Sequence, residues 1–499
     1  MKEKYSITYD FGTSSVKAAL IDENYDVAAW CTAPYKMYYP EPGFAVQKVE
    51  DYRNSFCSVT KRLLKEAGIS GGQIKGAAIS TTSCTMIFID EHGLPMNDCV
   101  TWIDNRAVSE ADILNKQCGK DNWTQGKRIP AKIKWFVDNR PDIVEKAEYL
   151  VDLSGYLFMI LTGRTAFEWT VAISYDLTKP GLMEWDYGTV DITGMPRSLL
   201  PERIIASYEK AGEMIPGFAE EAGFVPGTPV FGACSDNANG HLGAGCIRPG
   251  DAHLYLGSSG WISVSAAMPE NLGKRNVMQS AMPGIGYDYY CTNSVGTSID
   301  YLISEFYKKE SEDPNIDIYK LVSDEALSVE NDHQDTIFMP FLFGEEEPVM
   351  DHAVRASLLN IKSTTTRAHI ARAVMEGIAF NFRWIKEKLA EQGAWDVNFL
   401  RVIGGCAQSD VFMQILADII SEKLVRLKSA RVAGNIGLAA CIDIGLGAAK
   451  DFTVLDECVK EDRTFVPRPE FIEWADRLFA VYKDSYSALK SVYDKINLE

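Results

Sequence analysis

Several short stretches hold the residue types that chemistry needs. In Asp10-Phe11-Gly12-Thr13-Ser14-Ser15 a carboxylate stands just ahead of a glycine and three consecutive hydroxyls. A turn of this composition exposes backbone N–H groups and short hydroxyls, a concavity suited to phosphate oxygens. A carboxylate repels phosphate, but it can hold Mg²⁺, which takes one or two carboxylates together with phosphate oxygens. Asp10 therefore reads as a metal organiser and Thr13, Ser14 and Ser15 as phosphate contacts, with Lys17 adding positive charge. A tight hairpin whose polar side chains satisfy the turn accounts for the same residues, and on this motif alone it is the simpler account. Gly257-Ser258-Ser259-Gly260 is a second turn of the same kind and gains weight only from the first.

Three further stretches add to these. In Phe231–Gly245, Asp236 follows an apolar run and opens a segment of small residues. A carboxylate at a strand's carboxyl end could take a proton from a substrate hydroxyl; helix capping is its ordinary alternative. Asn237 follows it. Val402-Ile403-Gly404-Gly405-Cys406-Ala407, with Gln408 beyond, places two glycines between a strand and a helix, where a ligand can approach the backbone and the helix dipole adds positive charge. Plain strand–helix packing uses the same glycines. Finally, Thr82, Ser83 and Cys84, with Trp102, Asp104 and Arg106, offer hydroxyls, a thiol, a ring, a carboxylate and a guanidinium, a set suited to a polyol. Cys84 lacks a neighbouring His and reads as an inert thiol. The chain has neither a G-x-G-x-x-G between strand and helix nor a G-x-x-x-x-G-K-S/T, which excludes the Rossmann and P-loop readings.

The elements that must position these residues follow from periodicity. Ile7–Asp10, Val16–Ile21 and Val27–Ala33 read as a β-meander. Tyr52–Ala67 reads as a helix with Phe56, Val59, Leu63 and Leu64 on one face, and Ile74–Ser80 and Met86–Asp90 as strands. A similar order returns with strands at Pro229–Ser235, Asp251–Leu256 and Trp261–Ser265. A helix striped by Ile370, Val374, Ile378, Ile385 and Leu389 follows, then a strand at Phe399–Ile403 running into a helix through Ile415, Leu416 and Ile419. This is an α/β chain of two related halves, with a boundary near Gly245–Gly250.

With 499 residues, 46% hydrophobic and 24% charged, the chain is an ordinary globular protein of two or more domains. A net charge of -19 argues against a nucleic-acid partner, and any phosphate must be held by local donors or a metal. Eleven scattered cysteines without a C-x-x-C point to reduced thiols in a cytoplasm. Neither a signal peptide nor a membrane span is expected.

Taken together these motifs resemble the FGGY carbohydrate kinases over nearly the whole chain, nearest the xylulokinase-like members. The family's opening D-x-G-T-S/T-S-x-K matches Asp10–Lys17, and its W-x-D-x-R matches Trp102, Asp104 and Arg106. Pro130–Arg164 resembles the stretch leading to the family's L-T-G. Ser235–Gly240 stands where the family keeps its catalytic G-D-N or G-D-Q. MPFLFGEEEPVMDHAVRASLLNI, RAVMEGIAF and GGCAQSDVFMQILAD complete the order. The resemblance implies two ribonuclease-H-like domains, 1–246 and 247–499, flanking a catalytic cleft, with the second binding nucleotide and carrying a helical extension. It implies ATP and Mg²⁺ as cofactors and leaves a homodimer open. Thr13 and Ser14, with Gly12, Ser15 and Lys17 around them, would meet the transferred phosphate, with Asp10 placing the metal. Gly257, Ser258 and Ser259 would form the second phosphate turn, and Gly404, Gly405, Cys406 and Gln408 would border the nucleotide. Asp236 would be the base for the sugar hydroxyl.

The sugar-reading segment departs from the family. Xylulokinases commonly carry S-G-Q-M-H-G and glycerol kinases T-N-Q-R-E-T, where this chain has Ser80-Thr81-Thr82-Ser83-Cys84-Thr85. GEEEP replaces the commoner G-E-R-x-P, and RASLLNI lacks the usual glycine after Arg355. Kinase of a ketopentose such as xylulose is the first reading. Kinase of another polyol or sugar acid (glycerol, erythritol, gluconate, ribulose) is the second, and a binding protein that has lost catalysis the third.

Overall fold

The computed structural model describes residues 4–118, 126–179, 182–232, 234–268, 277–330, 332 and 334–497. The opening meander forms: β1 (Tyr5–Phe11), β2 (Ser15–Ile21) and β3 (Val27–Pro34) pair antiparallel in succession. Helix α1 (Val49–Glu66) buries the expected stripe, and Phe56 stacks on Tyr9 of β1 with ring centroids 4.1 Å apart. β4 (Ile74–Thr81) returns parallel to β1. It is covered on both faces, which is why its sequence is a run of small and apolar residues rather than an alternation. β5 (Lys210–Glu213) and β6 (Pro229–Phe231) complete a sheet in the order β5-β6-β4-β1-β2-β3, with β6 parallel to β4.

The second half repeats the plan. β7 (Ala252–Leu256), β8 (Gly260–Ala267), β9 (Val277–Gln279) and β10 (Ile285–Thr292) are followed by helix α3 (Gly296–Phe306) and the long helix α4 (Arg367–Glu391). Next come β11 (Leu400–Ile403), α5 (Asp410–Ile420), β12 (Leu424–Leu427), α6 (Ala433–Gly445), β13 (Glu461–Phe465) and the C-terminal helix α7 (Pro469–Asn497). The sheet order is β9-β10-β8-β7-β11-β12-β13. Setting aside β9, its pairings run antiparallel, antiparallel, parallel, parallel, antiparallel, as do those of β3-β2-β1-β4-β6-β5. The turn between β7 and β8 is therefore the counterpart of the turn between β1 and β2. The loop after β11 is likewise the counterpart of the loop after β4.

Each half also lends a helix to the other. Helix α2 (Asp236–Gly243) follows the first sheet but lies on the second, where His241 hydrogen-bonds with Ser263 and Ser265 of β8 (2.8 Å each). Helix α6 follows β12 of the second sheet but lies on the first: Asn435 donates to Thr8 O of β1 (3.1 Å). Tyr25 and Lys75 both bind the Asp443 carboxylate at its far end (2.7 and 2.6 Å). One hydrophobic cluster accordingly holds Ala19, Ala78 and Phe231 together with Tyr287, Leu438 and Ile442. The two helices cross at glycines, where a Cβ on Gly243 would lie 2.3 Å from Ala433 O and one on Gly434 2.4 Å from Asn239 Nδ2.

Two expected junctions differ. The strand from Pro229 ends at Phe231, short of Ser235, and Ala233 lies outside the described residues. Beyond β11 the chain makes a 3₁₀ turn at Cys406–Gln408 before α5 begins. Ser409 causes this: its Oγ accepts from Phe412 N (3.2 Å), so the helix is capped there and not at the glycines. No described helix is long and apolar enough to cross a membrane.

Gly243→Ala should force the crossing helices apart and lower stability by about 1–3 kcal/mol. Urea unfolding measures this; an unchanged midpoint would show that the crossing tolerates a methyl group.

Candidate active site

The carboxyl ends of β1, β4 and β6 bring three segments side by side. Thr82 N donates to Phe11 O (3.0 Å), Thr81 N donates to Cys234 O (3.4 Å), and Thr81 bridges to Ser235. Asp10 and Gly12–Ser14, then Thr82–Cys84, then Asp236, thus occupy one edge of one sheet.

Both small-residue turns are held from behind by their carbonyls. In the first, Gly12 O accepts from the Tyr35 hydroxyl, Thr13 O from Gln47 Nε2 (2.8 Å) and Ser14 O from Tyr35 N (3.1 Å). In the second, Gly257 O accepts from Gly296 N (2.8 Å), and Ser258 O from Val295 N (2.9 Å) and Thr297 N (3.2 Å). In a trans peptide the N–H points opposite to the C=O. The amides of Thr13, Ser14 and Ser15, and those of Ser258 and Ser259, are therefore turned away from these anchors. Such turned-out amides are the donors of an anion-binding nest. Ser14 and Ser258 are exposed, and Thr13, Ser15 and Ser259 are half-buried. Trp102 reaches the first turn, its Nε1 donating to Thr13 Oγ1 (3.0 Å).

The third glycine turn abuts the second. Gly404 has φ +105°, and a Cβ there would lie 2.4 Å from Leu256 O, so only glycine fits. Cys406 Sγ lies 3.9 Å from Gly257 O. Gly405 and Gln408 are exposed beside them.

Charges from both halves meet here. Lys17 faces Asp10 across the β1–β2 ladder, with Nζ 3.7 Å from Oδ2. The Lys17 ammonium is held above its usual range, first by the Tyr255 hydroxyl of the second half, against burial, and then by Asp10 and Asp236. Asp236 is the first residue of α2, one past the N-cap Ser235, and its Oδ1 accepts from Asn237 N (3.0 Å). Burial, then the Asp10 charge, push its carboxyl up to about 7, against hydrogen bonds from the backbone of Asn237 and Ser83.

The segment after β4 is tightly shaped. Cys84 has φ +57° and donates to Ser174 O (3.3 Å); burial raises its thiol, which stays neutral and unreactive. Thr82 is buried. Ser83 Oγ is buried without a hydrogen-bond partner among the described residues, as is Asp176 Oδ2. The other Asp176 oxygen accepts from Arg128 (2.8 Å). Three residues expected to face a substrate are otherwise engaged. Asp104 is fully buried and accepts a two-point contact from Arg106 (2.8 Å each) and one from Ala45 N (2.7 Å). The Arg106 guanidinium stacks 4.0 Å from the Phe44 ring centroid, so the pair braces the wall behind Trp102. Asn237 Oδ1 accepts from Ser235 Oγ (2.7 Å), Ala238 N (2.9 Å) and the Tyr287 hydroxyl (3.1 Å), which ties down the start of α2.

Tyr35, Gln47, Tyr255, Arg128 and Asp176 were not visible as site residues in the sequence. None belongs to a local motif, and Tyr255 alone carried a signal, standing two residues before Gly257. A buried trio elsewhere, His241, Cys246 and His253, has the side chains of a metal site. Its ring nitrogens are already engaged, by Ser263 and Ser265 for His241 and by Trp261 Nε1 (2.9 Å) and, more distantly, Cys246 (3.9 Å) for His253.

In protein free of metal and nucleotide, the Asp236 carboxyl should titrate near pH 7, and Asp10→Asn should move that midpoint down because one negative neighbour is removed. Carbon NMR of labelled aspartate measures both; an ordinary carboxylate midpoint for Asp236 would contradict the arrangement.

Comparison with known proteins agrees with this geometry. Residues 5–243 match the FGGY family of carbohydrate kinases, N-terminal domain, and residues 269–442 the C-terminal domain of the same family. The chain is 26% identical to a xylulose kinase of Lactococcus lactis, covering 97% of this chain and 96% of that one. It is 25% identical to a gluconokinase of Bacillus subtilis, covering 93% and 94%. Among solved structures, a ligand-bound xylulose kinase from Lactobacillus acidophilus superposes with a TM-score of 0.86 at 21% identity, over 99% of this chain and all of that one. A Plasmodium falciparum glycerol kinase with ADP superposes with a TM-score of 0.80 at 18% identity, over 97% and 98%. Two sheets of one pairing pattern, with both family domains matched in order, make this chain a member of the FGGY carbohydrate kinases, built on the ribonuclease-H-type fold of sugar kinases.

Proposed function

We propose that the protein transfers the terminal phosphoryl group of ATP to a hydroxyl of a small uncharged sugar, a ketopentose such as xylulose. The observation that carries this is the pair of equivalent turns, carbonyls held behind and amides turned out, with Asp236 on the sheet edge of the first turn and Tyr255, two residues before the second, acting on Lys17 there. Phosphoryl transfer passes through a loose, highly charged transition state, so positioning and charge stabilisation supply most of the catalysis. The turned-out amides and Lys17 are the donors of the right kind. In a chain of net charge -19 they must act locally.

Asp236 is the general base. It must be ionised to accept the sugar proton, and a carboxyl raised to about 7 is ionised at mildly alkaline pH while remaining basic enough to accept. Asp10 is the residue that would hold Mg²⁺: its half-buried carboxylate sits at the end of β1, beside the first turn. When bound with the nucleotide, the metal neutralises phosphate charge. Thr13 and Ser14 face the transferred phosphate, Ser258 and Ser259 the remaining phosphates, and Gly404, Gly405, Cys406 and Gln408 the nucleoside side. The lobes 1–246 and 247–499 would exclude water by closing.

The choice of an uncharged sugar rests on the segment after β4. Among the described residues, Arg128 and Lys132 are cations whose charges act on the Cys84 thiol. Arg128 is paired with Asp176, and Lys132 is fully buried and bound to Thr101 O (2.7 Å). A substrate carboxylate would meet no unengaged partner in either of them, and an unpaired buried charge is costly. Ser83 Oγ and Asp176 Oδ2, both without a hydrogen-bond partner among the described residues, are of the type that pairs with a sugar hydroxyl.

ADP release measured across ketopentoses, glycerol and gluconate should be fastest with a ketopentose and at least about tenfold slower with gluconate, the size of effect expected when a charge lacks its partner. Gluconate as the best acceptor would reverse the assignment. Asp236→Ala should retain nucleotide binding and lose about 10²–10⁴-fold in turnover; wild-type turnover would remove Asp236 from the chemistry.

A further inference from the structure

The acidic run Gly344-Glu345-Glu346-Glu347, unusual beside the family pattern, contains one carboxylate that the chemistry above does not use. Glu345 is fully buried. Its Oε1 accepts from Asn293 N and Glu346 N (2.9 Å each), and its Oε2 from Thr292 Oγ1 (2.7 Å) and Asn381 Nδ2 (3.0 Å). Asn381 Nδ2 also donates to Thr292 Oγ1 (2.9 Å), which commits the threonine proton to the carboxylate. Four donors fill the four lone-pair sites of a carboxylate. Burying that charge is costly, so a side chain that only filled space would be apolar here.

What Glu345 holds is the support of the second phosphate turn. Thr292 ends β10 directly opposite Gly260, the last residue of that turn. Within five residues of Thr292, the amides of Val295, Gly296 and Thr297 hold the carbonyls of Gly257 and Ser258. We propose that Glu345 is a positioning residue for the turn Gly257–Gly260: by fixing Thr292 and Asn293 it sets the amides behind the turn, and so the direction of the Ser258 and Ser259 amides in front. The proposal rests on the kinase reading for the identity of the ligand, a nucleoside triphosphate.

The test compares wild type, Glu345→Gln and Thr292→Val by calorimetric titration with Mg²⁺ and a non-hydrolysable ATP analogue, and separately with D-xylulose. Glutamine matches glutamate in shape, but its amide sets donor against donor at one of the two oxygen positions. The titrations run at pH 8.5, above the value of about 8 to which burial raises Glu345 against the pull of its donors. Glu345→Gln should weaken the nucleotide about 10- to 100-fold and Thr292→Val about threefold, with xylulose affinity within about twofold of wild type. Unchanged nucleotide affinity in folded Glu345→Gln, or equal losses for both ligands, overturns the proposal. If Glu345→Gln does not fold, Thr292→Val decides by the same comparison. Wild type that binds nucleotide but phosphorylates no sugar refutes the kinase reading and leaves the nucleotide comparison to decide this one. Wild type that binds no nucleotide refutes both.

Discussion

The site depends on carbonyl groups that never face it. Each small-residue turn has its C=O groups fixed from behind, by Tyr35 and Gln47 in the first half and by the start of α3 in the second. Planarity of the peptide then directs the N–H groups forward. Amides fixed in this way need little reorganisation when charge develops in front of them, and that is the basis of electrostatic catalysis in a closed site. A chain carrying -19 net charge has no favourable long-range field for phosphate, so any phosphate it binds depends on short-range donors of this kind. In both halves the anchors are distant in sequence from the turns they hold: buried side chains and one amide in the first, the amides of Val295, Gly296 and Thr297 in the second.

One plan used twice gives an asymmetric site. Both sheets share a pairing pattern and both place a small-residue turn between their first two strands. The halves differ in the first residue of the helix each lends to the other. Helix α2 begins with Asp236, whereas its counterpart α6 begins with Ala433. Only one half therefore places a carboxylate at the start of the helix it lends. The exchange of α2 and α6 between the sheets carries Asp236 toward the second half, and the glycines at their crossing allow the close approach.

Much of this was legible in the sequence, for identifiable reasons. The meander, α1, β7, β8 and α4 were readable because alternation and the 3.6-residue stripe are local signals. The small-residue turns were readable because glycine and hydroxyls in a row have few other uses. The overlong strand at Pro229–Ser235 came from small residues that suit a strand as well as the loop they form. The helix start at Asp410 was hidden because Ser409 competes as a cap with the glycines before it. Among site residues, sequence named types but not partners. Asp104, Arg106 and Asn237 are polar groups engaged with other protein groups, a fact that only tertiary contacts reveal. Tyr35, Gln47 and Glu345 act on backbone from a distance and leave no motif behind.

The central claim is that two fixed sets of amides share one phosphate chain between them, with Asp236 at its reactive end. A crystal structure with Mg²⁺, a non-hydrolysable ATP analogue and xylulose measures this most directly. The account predicts phosphate oxygens within about 3 Å of the amides of Thr13 or Ser14 on one side and of Ser258 or Ser259 on the other, and a sugar hydroxyl at the same range from Asp236. Phosphates bound away from either turn, or a sugar bound out of reach of Asp236, would contradict it.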